Sequence, residues 1–285
     1  MRSVVASFPL TVAVAVSGCA TAASVETAPA DRTVAPVVSL QPYTDTVPGS
    51  LITFEMIPLP GGTVEVPAGA GARTVDVEQV WIGRTEVTWD AYDAYTLERD
   101  ALAAEIGSDA VARPSPPYGA PDYGWGHAGY PVMSVTHAAA VAFCAWLSEK
   151  TGRHYRLPTE AEWLRAAELA AADLSAAAIA ERAWHAGNSG GTTHAVAARQ
   201  PDALGLYDLF GNVQEWVLTD DARLVARGGS YRDPAAEVAK VPLRLQDASW
   251  NERDPQFPKS RWWLSDAPFA GFRIVRDPLD RKAGS

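Results

Sequence analysis

The stretch Gly205-Leu-Tyr-Asp-Leu-Phe-Gly-Asn-Val-Gln-Glu-Trp216 places two carboxylates, seven positions apart, around a turn that contains a glycine. Such a turn can aim the side chains of Asp208 and Glu215, together with backbone carbonyl oxygens, at one point. Calcium binds roughly six to eight oxygens and mixes carboxylates with carbonyls. The stretch therefore predicts a calcium-binding loop. The alternative is an ordinary turn in which Glu215 forms a salt bridge or caps a backbone amide.

Outside this stretch, the chain predicts few helices and many short strands. The third of three predicted helices is expected to start at Thr159, and Glu162 lies three positions after this cap, which is the spacing of a capping box. After Trp184 the pattern indicates loops and short strands. This arrangement indicates a single loop-rich α+β domain with short antiparallel strands, not an alternating α/β sheet. The three helices are expected to start at Thr88, Thr136 and Thr159.

The N-terminus has the layout of a signal peptide. Arg2 precedes an uncharged stretch, 4–16, that is too short to cross a bilayer. The stretch ends in Val16-Ser-Gly-Cys19, which resembles a lipobox with cleavage before Cys19 and lipid transfer to its sulfur. Ordinary secretion with cleavage after Ala20-Thr-Ala22 is the alternative. We expect an exported protein at the bacterial cell envelope, lipid-anchored at the outer membrane or facing the periplasm, or else secreted.

Four segments follow from these patterns. Residues 1–18 form the signal peptide, and 19–50 contain the lipidated cysteine and a flexible tether rich in Ala, Thr, Val and Pro. Residues 51–277 form the globular domain, and 278–285 form a polar tail. The formal net charge is −10 and the isoelectric point is about 5.0, which excludes an electrostatic attraction to nucleic acid. The expected membrane partner is reached through the lipid anchor.

Six groups of residues, in order along the chain, resemble the sulfatase-modifying-factor family. This family includes formylglycine-generating enzymes, sulfoxide-synthase domains of ergothioneine biosynthesis and a pyoverdine-maturation protein. The resemblance implies one domain with little regular secondary structure, distantly similar to C-type lectins. The matching groups are Ile82-Gly-Arg-Thr-Glu-Val-Thr88, Pro131-Val-Met-Ser-Val-Thr136 with Ala142-Phe-Cys-Ala-Trp146, Tyr155-Arg-Leu-Pro-Thr-Glu-Ala-Glu-Trp163, Gly205 to Trp216, Arg227-Gly-Gly-Ser-Tyr231 and Gly271-Phe-Arg-Ile274.

The resemblance also implies a ligand set for calcium. A second calcium of some relatives would begin at Asn188 with the Ser189 carbonyl, but the acidic stretch that completes it has no evident counterpart before Pro201. This second site is therefore a weak expectation. The positions that match the ligands of the first site are the side chains of Asp208 and Glu215 and the carbonyls of Gly211 and Val213.

Copper is not expected, although formylglycine-generating enzymes bind copper(I) through two cysteines that follow the Gly-Gly-Ser-Tyr segment. Those positions match Asp233 and Val238 here. A carboxylate is a hard ligand and valine is no ligand, whereas copper(I) prefers thiolates. In some relatives the cysteine at the position of Cys144 forms a disulfide with a residue at the position of Ile274. Because that position is isoleucine here, Cys144, on a predicted helix, is expected to be a small buried apolar residue. The five histidines show no ligand spacing.

A substrate groove is implied by the resemblance near the missing cysteines. The carboxylate of Asp233 could act there as a general base, and Arg244 is implied in the same groove. These two residues are weak catalytic candidates. Tryptophan faces there could bind sugars, aromatic groups or cations, or could instead serve packing. The groove positions are Asp233, Glu237, Arg244, Asp247, Trp250, Asn251, Arg261, Trp262 and Trp263.

Three functions follow. The missing cysteines favour a non-catalytic binding or scaffold protein of the cell envelope, whose groove takes a peptide, a glycan or an envelope protein. The alternative is an exported enzyme of the pyoverdine-maturation type, which an ordered pocket joining Asp233, Arg244 and a tryptophan would favour. A formylglycine-generating oxidase is the least expected.

Overall fold

The computed structural model describes residues 40–69, 71–106, 121–171 and 175–278. The expected signal peptide, the lipidation position Cys19, the first part of the tether and the tail from residue 279 lie outside these ranges. Within them, no helix has the length and apolar composition that crossing a membrane requires.

Short helices and strands alternate with long loops. All three predicted helices are present, and Thr136 and Thr159 cap theirs as expected, the second in a complete capping box. Gly152 ends the second helix in the left-handed conformation that favours glycine. The helices are α1 (Trp89–Ile106), α2 (His137–Thr151), α3 (Glu160–Ala170), α4 (Ala176–Arg182) and α5 (Ala235–Val238), with a 3-10 turn at Ala248–Asn251.

The strands are β1 (Tyr43–Thr46), β2 (Thr53–Leu59), β3 (Gly62–Ala68), β4 (Gly71–Val77), β5 (Val80–Gly83), β6 (Tyr155–Arg156), β7 (Gln214–Val217), β8 (Val225–Arg227), β9 (Leu243–Leu245), β10 (Ala270–Gly271) and β11 (Val275–Arg276). They form a five-stranded sheet in the order β1-β2-β5-β11-β6, a four-stranded sheet in the order β10-β7-β8-β9 and the hairpin β3-β4. Among the strands in the described ranges, only the β10-β7 pairing is parallel. The expected α+β class with short antiparallel strands is confirmed.

The domain differs from the prediction at its N-terminal boundary. Strand β1 lies inside the segment assigned to the tether, yet it pairs antiparallel with β2. The carboxylate of Asp45 in β1 accepts hydrogen bonds from Tyr155 and Arg153, which come from the α2-β6 region. These partners are distant in sequence, so the tether segment itself contains no signal for them.

Two large buried clusters form most of the core. One packs α1 and α2 against aromatic residues of the C-terminal segment, and the other lies beneath α3. A smaller third cluster lies between the β3-β4 hairpin and α3. The second helix contributes Cys144 to the first cluster, where its side chain is buried as expected. The two clusters flank the 205–216 loop, so the loop is held between them.

Candidate functional site

A buried ion pair lies under the 205–216 loop. Arg273 contacts both carboxylate oxygens of Glu215, with Nη2 at 2.7 Å from Oε1 and Nε at 2.7 Å from Oε2. The indole N–H of Trp163 donates to the same Oε2 at 2.7 Å. The guanidinium also donates to the carbonyls of Gly83 and Tyr207, each at 2.9 Å. Both charged side chains are fully buried, and the hydrogen bonds to Glu215 go to Oε2, whereas Oε1 lies close to Nη2 without accepting a hydrogen bond from any described residue.

Glu86 adds a second buried carboxylate to this cluster. Its two oxygens accept hydrogen bonds from the Asn212 side chain at 2.8 Å and the Val213 N–H at 3.0 Å. Burial, and then the nearby charges of Asp208 and Glu215, raise the pKa of Glu86 well above its ordinary value. Glu86 thereby ties the segment before α1 to the loop. Glu86 lies in the first of the six groups that resemble the family, but the sequence alone assigned it no role.

Asp208 supplies the third carboxylate. Its backbone adopts a φ of 59°, and its Oδ2 accepts a hydrogen bond from the Ala197 N–H at 2.8 Å. Its Oδ1 is buried and has no hydrogen-bond partner among the described residues. Burial raises the pKa of Asp208 to about 6. Glu86, Asp202, Asp208 and Glu215 thus all lie near the one guanidinium of Arg273.

These facts decide how calcium fits the expected first site. The unpartnered Oδ1 of Asp208 and the carboxylates grouped around it suit a divalent cation. In contrast, Glu215 already binds Arg273, so a cation would share this carboxylate with a guanidinium. Within the described ranges, no three His, Cys, Asp or Glu side chains converge as a metal-binding group. A calcium ion would therefore depend on the carbonyls of Gly211 and Val213.

The second expected calcium position is occupied by protein hydrogen bonds. The Asn188 side-chain oxygen accepts from the His185 N–H at 2.8 Å, and its amide donates to the Ala183 carbonyl at 3.0 Å. The Ser189 carbonyl lies 2.7 Å from Nε2 of His194. These oxygens are engaged in hydrogen bonds that stabilise a turn.

The positions that match the copper cysteines serve structure. Asp233 accepts hydrogen bonds from the Ser230 N–H at 2.9 Å and the Ser230 hydroxyl at 2.6 Å, and it forms an ion pair with Arg244. Val238 is fully buried, and a Cβ on Gly229 would lie 2.6 Å from its Cγ2. One position holds a turn and the other fills the core, so these residues do not fit copper(I).

The lone described thiol cannot replace them. Cys144 is buried in α2, and burial raises its pKa, so the sulfur stays protonated. Ile274, at the position that pairs with this cysteine in some relatives, is also buried.

The predicted tryptophan groove differs from the structure. Trp250, Trp262 and Trp263 are buried in the first core cluster. Trp263 stacks on Trp89 with ring centroids 6.2 Å apart, and Trp250 packs 5.4 Å from Trp216. These rings pack the interior, as the alternative held. A tryptophan carries a large apolar area, so a short loop over a core buries it readily.

The other predicted groove residues make local contacts. Asn251 donates to Asp254 at 3.2 Å and accepts from the Ser265 N–H at 2.9 Å. The guanidinium of Arg261 lies 5.8 Å from the Trp262 ring. The remaining two acidic positions also have local partners: Glu237 pairs with Lys240 at the surface, and Asp247 caps the 3-10 turn.

Sequence reasoning missed two surface features. The ring of Tyr123 stacks on that of Trp125 at 5.0 Å, and Trp125 meets Tyr231 edge-on at 5.2 Å. Beside Tyr231, the guanidinium of Arg232 lies over the ring of Phe269. The position of Arg232 directly after Gly-Gly-Ser-Tyr was the one available signal.

His127 is the histidine with the most polar contacts. Its Nδ1 lies 2.9 Å from Asp122 and its Nε2 lies 2.8 Å from Asp93. Partial burial opposes the charge, but the hydrogen bonds to both carboxylates outweigh it and raise the pKa of His127. His137 packs edge-on against Trp216 at 5.7 Å, and burial lowers its pKa.

The chain belongs to the sulfatase-modifying-factor family. The family described as "Sulfatase-modifying factor enzyme 1-like domain" matches residues 48–278. A serine/threonine-protein kinase, pkn1 of Chlamydia pneumoniae, is 37% identical over 92 residues, which cover 32% of this chain and 14% of that protein. The match thus spans a small part of the kinase's length.

Three solved structures share the fold. The first is Treponema denticola variable protein 1, with a TM-score of 0.58 and 24% identity, covering 84% of this chain and 100% of that one. PvdO from Pseudomonas aeruginosa has a TM-score of 0.51 and 23% identity over 78% and 94% of the two chains. CarF has a TM-score of 0.51 and 23% identity over 79% and 99%. At these identities the likeness shows the fold alone.

The buried ion pair generates a stability prediction. Replacing Arg273→Met leaves Glu215 buried without its guanidinium and should lower the free energy of unfolding by about 3–5 kcal/mol. The double variant Glu215→Met/Arg273→Met removes both charges and should recover part of that loss. Urea unfolding measures both variants. Arg73→Met is the control, since Arg73 pairs with Asp220 at the surface and should lose less than about 1 kcal/mol. Equal losses in Arg273→Met and Arg73→Met would contradict the prediction.

Proposed function

We propose that this chain is a non-catalytic binding protein of the cell envelope, held there by lipid on Cys19. The observation that carries the proposal is the replacement of the two copper-binding cysteines by Asp233 and Val238. Asp233 is engaged by Ser230 and Arg244, and Val238 is a core residue. The family's oxygen chemistry depends on two thiolates, and neither position supplies one.

The cysteines elsewhere in the chain do not compensate. Cys144 is buried and protonated within α2. Cys19 is the lipid-bearing residue in this proposal. Soft thiolate ligands are what hold copper(I) in proteins, so the loss of both leaves the domain with a binding role.

The alternative of a different enzyme chemistry has less support. Asp233 and Arg244 do meet, as that hypothesis required, but both carboxylate oxygens of Asp233 already have partners. A general base needs a lone pair directed at a substrate proton. Here the oxygens hold the Gly-Gly-Ser-Tyr turn and Arg244, so the contact is a structural one.

We also propose that the 205–216 loop binds one calcium ion through Asp208, Glu215 and the carbonyls of Gly211 and Val213. The support is the buried, unpartnered Oδ1 of Asp208 and the approach of the Glu86 and Glu215 carboxylates to it. The ion would supply positive charge to the buried cluster and stabilise the loop.

The copper hypothesis is tested on the purified full chain. We expect no stoichiometric copper(I) to remain against a competing copper(I) chelator. We also expect no oxygen consumption with a Cys-x-Pro-x-Arg peptide. Cys144→Ser should behave the same, because its thiol is buried. Retained copper together with thiol-dependent oxygen uptake would overturn the non-catalytic assignment.

Calcium binding is tested by thermal unfolding after chelation. Calcium in excess should raise the melting temperature, since about 100-fold excess over the dissociation constant stabilises the folded state by about 2.7 kcal/mol. Asp208→Asn should reduce the shift. Asp254→Asn is the matched control, because Asp254 is also buried but both of its carboxylate oxygens accept backbone hydrogen bonds, from Gln256 and Ser260. An identical melting temperature with and without calcium, after verified metal removal, removes the proposal.

The lipid anchor is tested by intact mass spectrometry of the envelope fraction. The mature chain should begin at Cys19 and carry the mass of at least two acyl chains, since lasting attachment needs more than one. Cys19→Ser should release the protein from the membrane, whereas Cys144→Ser should leave it attached. An unmodified chain that begins after Ala22 would contradict lipidation and support secretion.

A further inference from the structure

Two arginines share one aromatic ring beside the Gly-Gly-Ser-Tyr turn. The guanidinium carbon of Arg232 lies 3.4 Å from the centroid of the Phe269 ring, and that of Arg244 lies 5.4 Å from it. Phe269 is buried and packs edge-on against Trp250 at 4.8 Å. A guanidinium stacked on a ring keeps its N–H groups at its edge, where they can bind an oxyanion.

The charges of this pair are only partly balanced. Arg244 forms an ion pair with Asp233. Arg232 has no ion pair or hydrogen bond in the described part of the chain, and burial, followed by the charge of Arg244, lowers its pKa. Two guanidinium groups and one carboxylate leave one positive charge. A single negative charge would neutralise it, which favours a carboxylate over a doubly charged phosphate.

The edge of a sheet adjoins the pair. Arg244 lies in β9, which is the last strand of the four-stranded sheet. Hydrogen bonds from Gln246 N–H to the Leu224 carbonyl and from Gly228 N–H to the Pro242 carbonyl frame the β8-β9 ladder. Because alternate residues of an antiparallel pair bond each other, the backbone groups of Leu243 and Leu245 face away from β8.

This edge has the surface of a strand-addition site. The side chain of Leu245 is 49% exposed and that of Leu224 is 42% exposed. Apart from β8, no strand in the described ranges pairs with β9. An extended peptide can add to such an edge through main-chain hydrogen bonds, while side-chain contacts give specificity.

We infer that β9 binds an extended acidic peptide whose carboxylate is held by Arg232 and Arg244 over Phe269. The inference rests on the proposed binding function and names its ligand class. The chain's net charge of −10 does not prevent this contact. Charges beyond about 8 Å are screened at physiological salt, so the local positive charge decides.

The experiment is calorimetric titration of the full chain with three peptides. The probe is an acetylated and amidated peptide of alternating threonine and glutamate, and its partner replaces glutamate by glutamine. A third peptide has the glutamine sequence with a free C-terminal carboxylate. The glutamate peptide should bind at least about tenfold more tightly than the blocked glutamine peptide, because charge-assisted hydrogen bonds are lost in the latter. If the third peptide binds as tightly as the glutamate peptide, the bound carboxylate is that of a peptide C-terminus. If it binds as weakly as the blocked glutamine peptide, the bound carboxylate is that of a glutamate side chain.

Variants separate this site from general charge effects. Arg232→Gln should weaken the glutamate peptide about tenfold, whereas Arg73→Gln, an equal loss of charge in β4, should change it by less than about twofold. A glutamate peptide with methylated backbone amides should lose binding, because it cannot complete the sheet. Equal affinity of Arg232→Gln and the unaltered chain overturns the inference. So does undiminished binding of the methylated peptide, or tighter binding of an oligogalacturonate, which would assign the site to a glycan. The copper measurement is separate, so failure here leaves the proposed function standing.

Discussion

The fold depends on the buried contact between Arg273 and Glu215. The guanidinium of Arg273 joins the 205–216 loop to the end of β5 through the Gly83 carbonyl, while Trp163 joins the Glu215 carboxylate to α3. Segments distant in the chain therefore meet at one ion pair. Removing two charges from water is costly, and only close contact with additional hydrogen bonds offsets that cost. In a domain with so little regular secondary structure, this pair fixes how the loops cross.

The same contact sets the electrostatics of the loop. Glu86 and Asp208 approach Glu215, and Asp202 also lies near the one guanidinium of Arg273. This grouping of carboxylates is the physical basis for the proposed calcium ion. Protonation is the other way to relieve their repulsion, and the raised pKa values of Glu86 and Asp208 have that direction. The proposed calcium ion would therefore couple structural stability to cation binding at this position.

Fold and chemistry are separable in this family. The chain keeps the Gly-Gly-Ser-Tyr turn, but Ser230 now binds a carboxylate at the first cysteine position, and Val238 packs against Gly229 at the second. A scaffold can lose its reaction and retain a binding surface, because function lies in local sites on a fold. Arg232 lies beside this turn, where the resemblance placed the groove.

The sequence by itself determined the features that depend on neighbouring residues. The caps at Thr136 and Thr159 act within three positions. The absence of a thiol at positions 233 and 238 is read directly from the sequence and does not depend on the fold. Tertiary structure alone decided the partners. Glu215 meets Arg273 across 58 positions of chain, the predicted groove tryptophans pack inward, and Arg232 reaches Phe269. Side-chain direction and burial arise from packing between distant segments, and local spacing along the chain does not encode that packing.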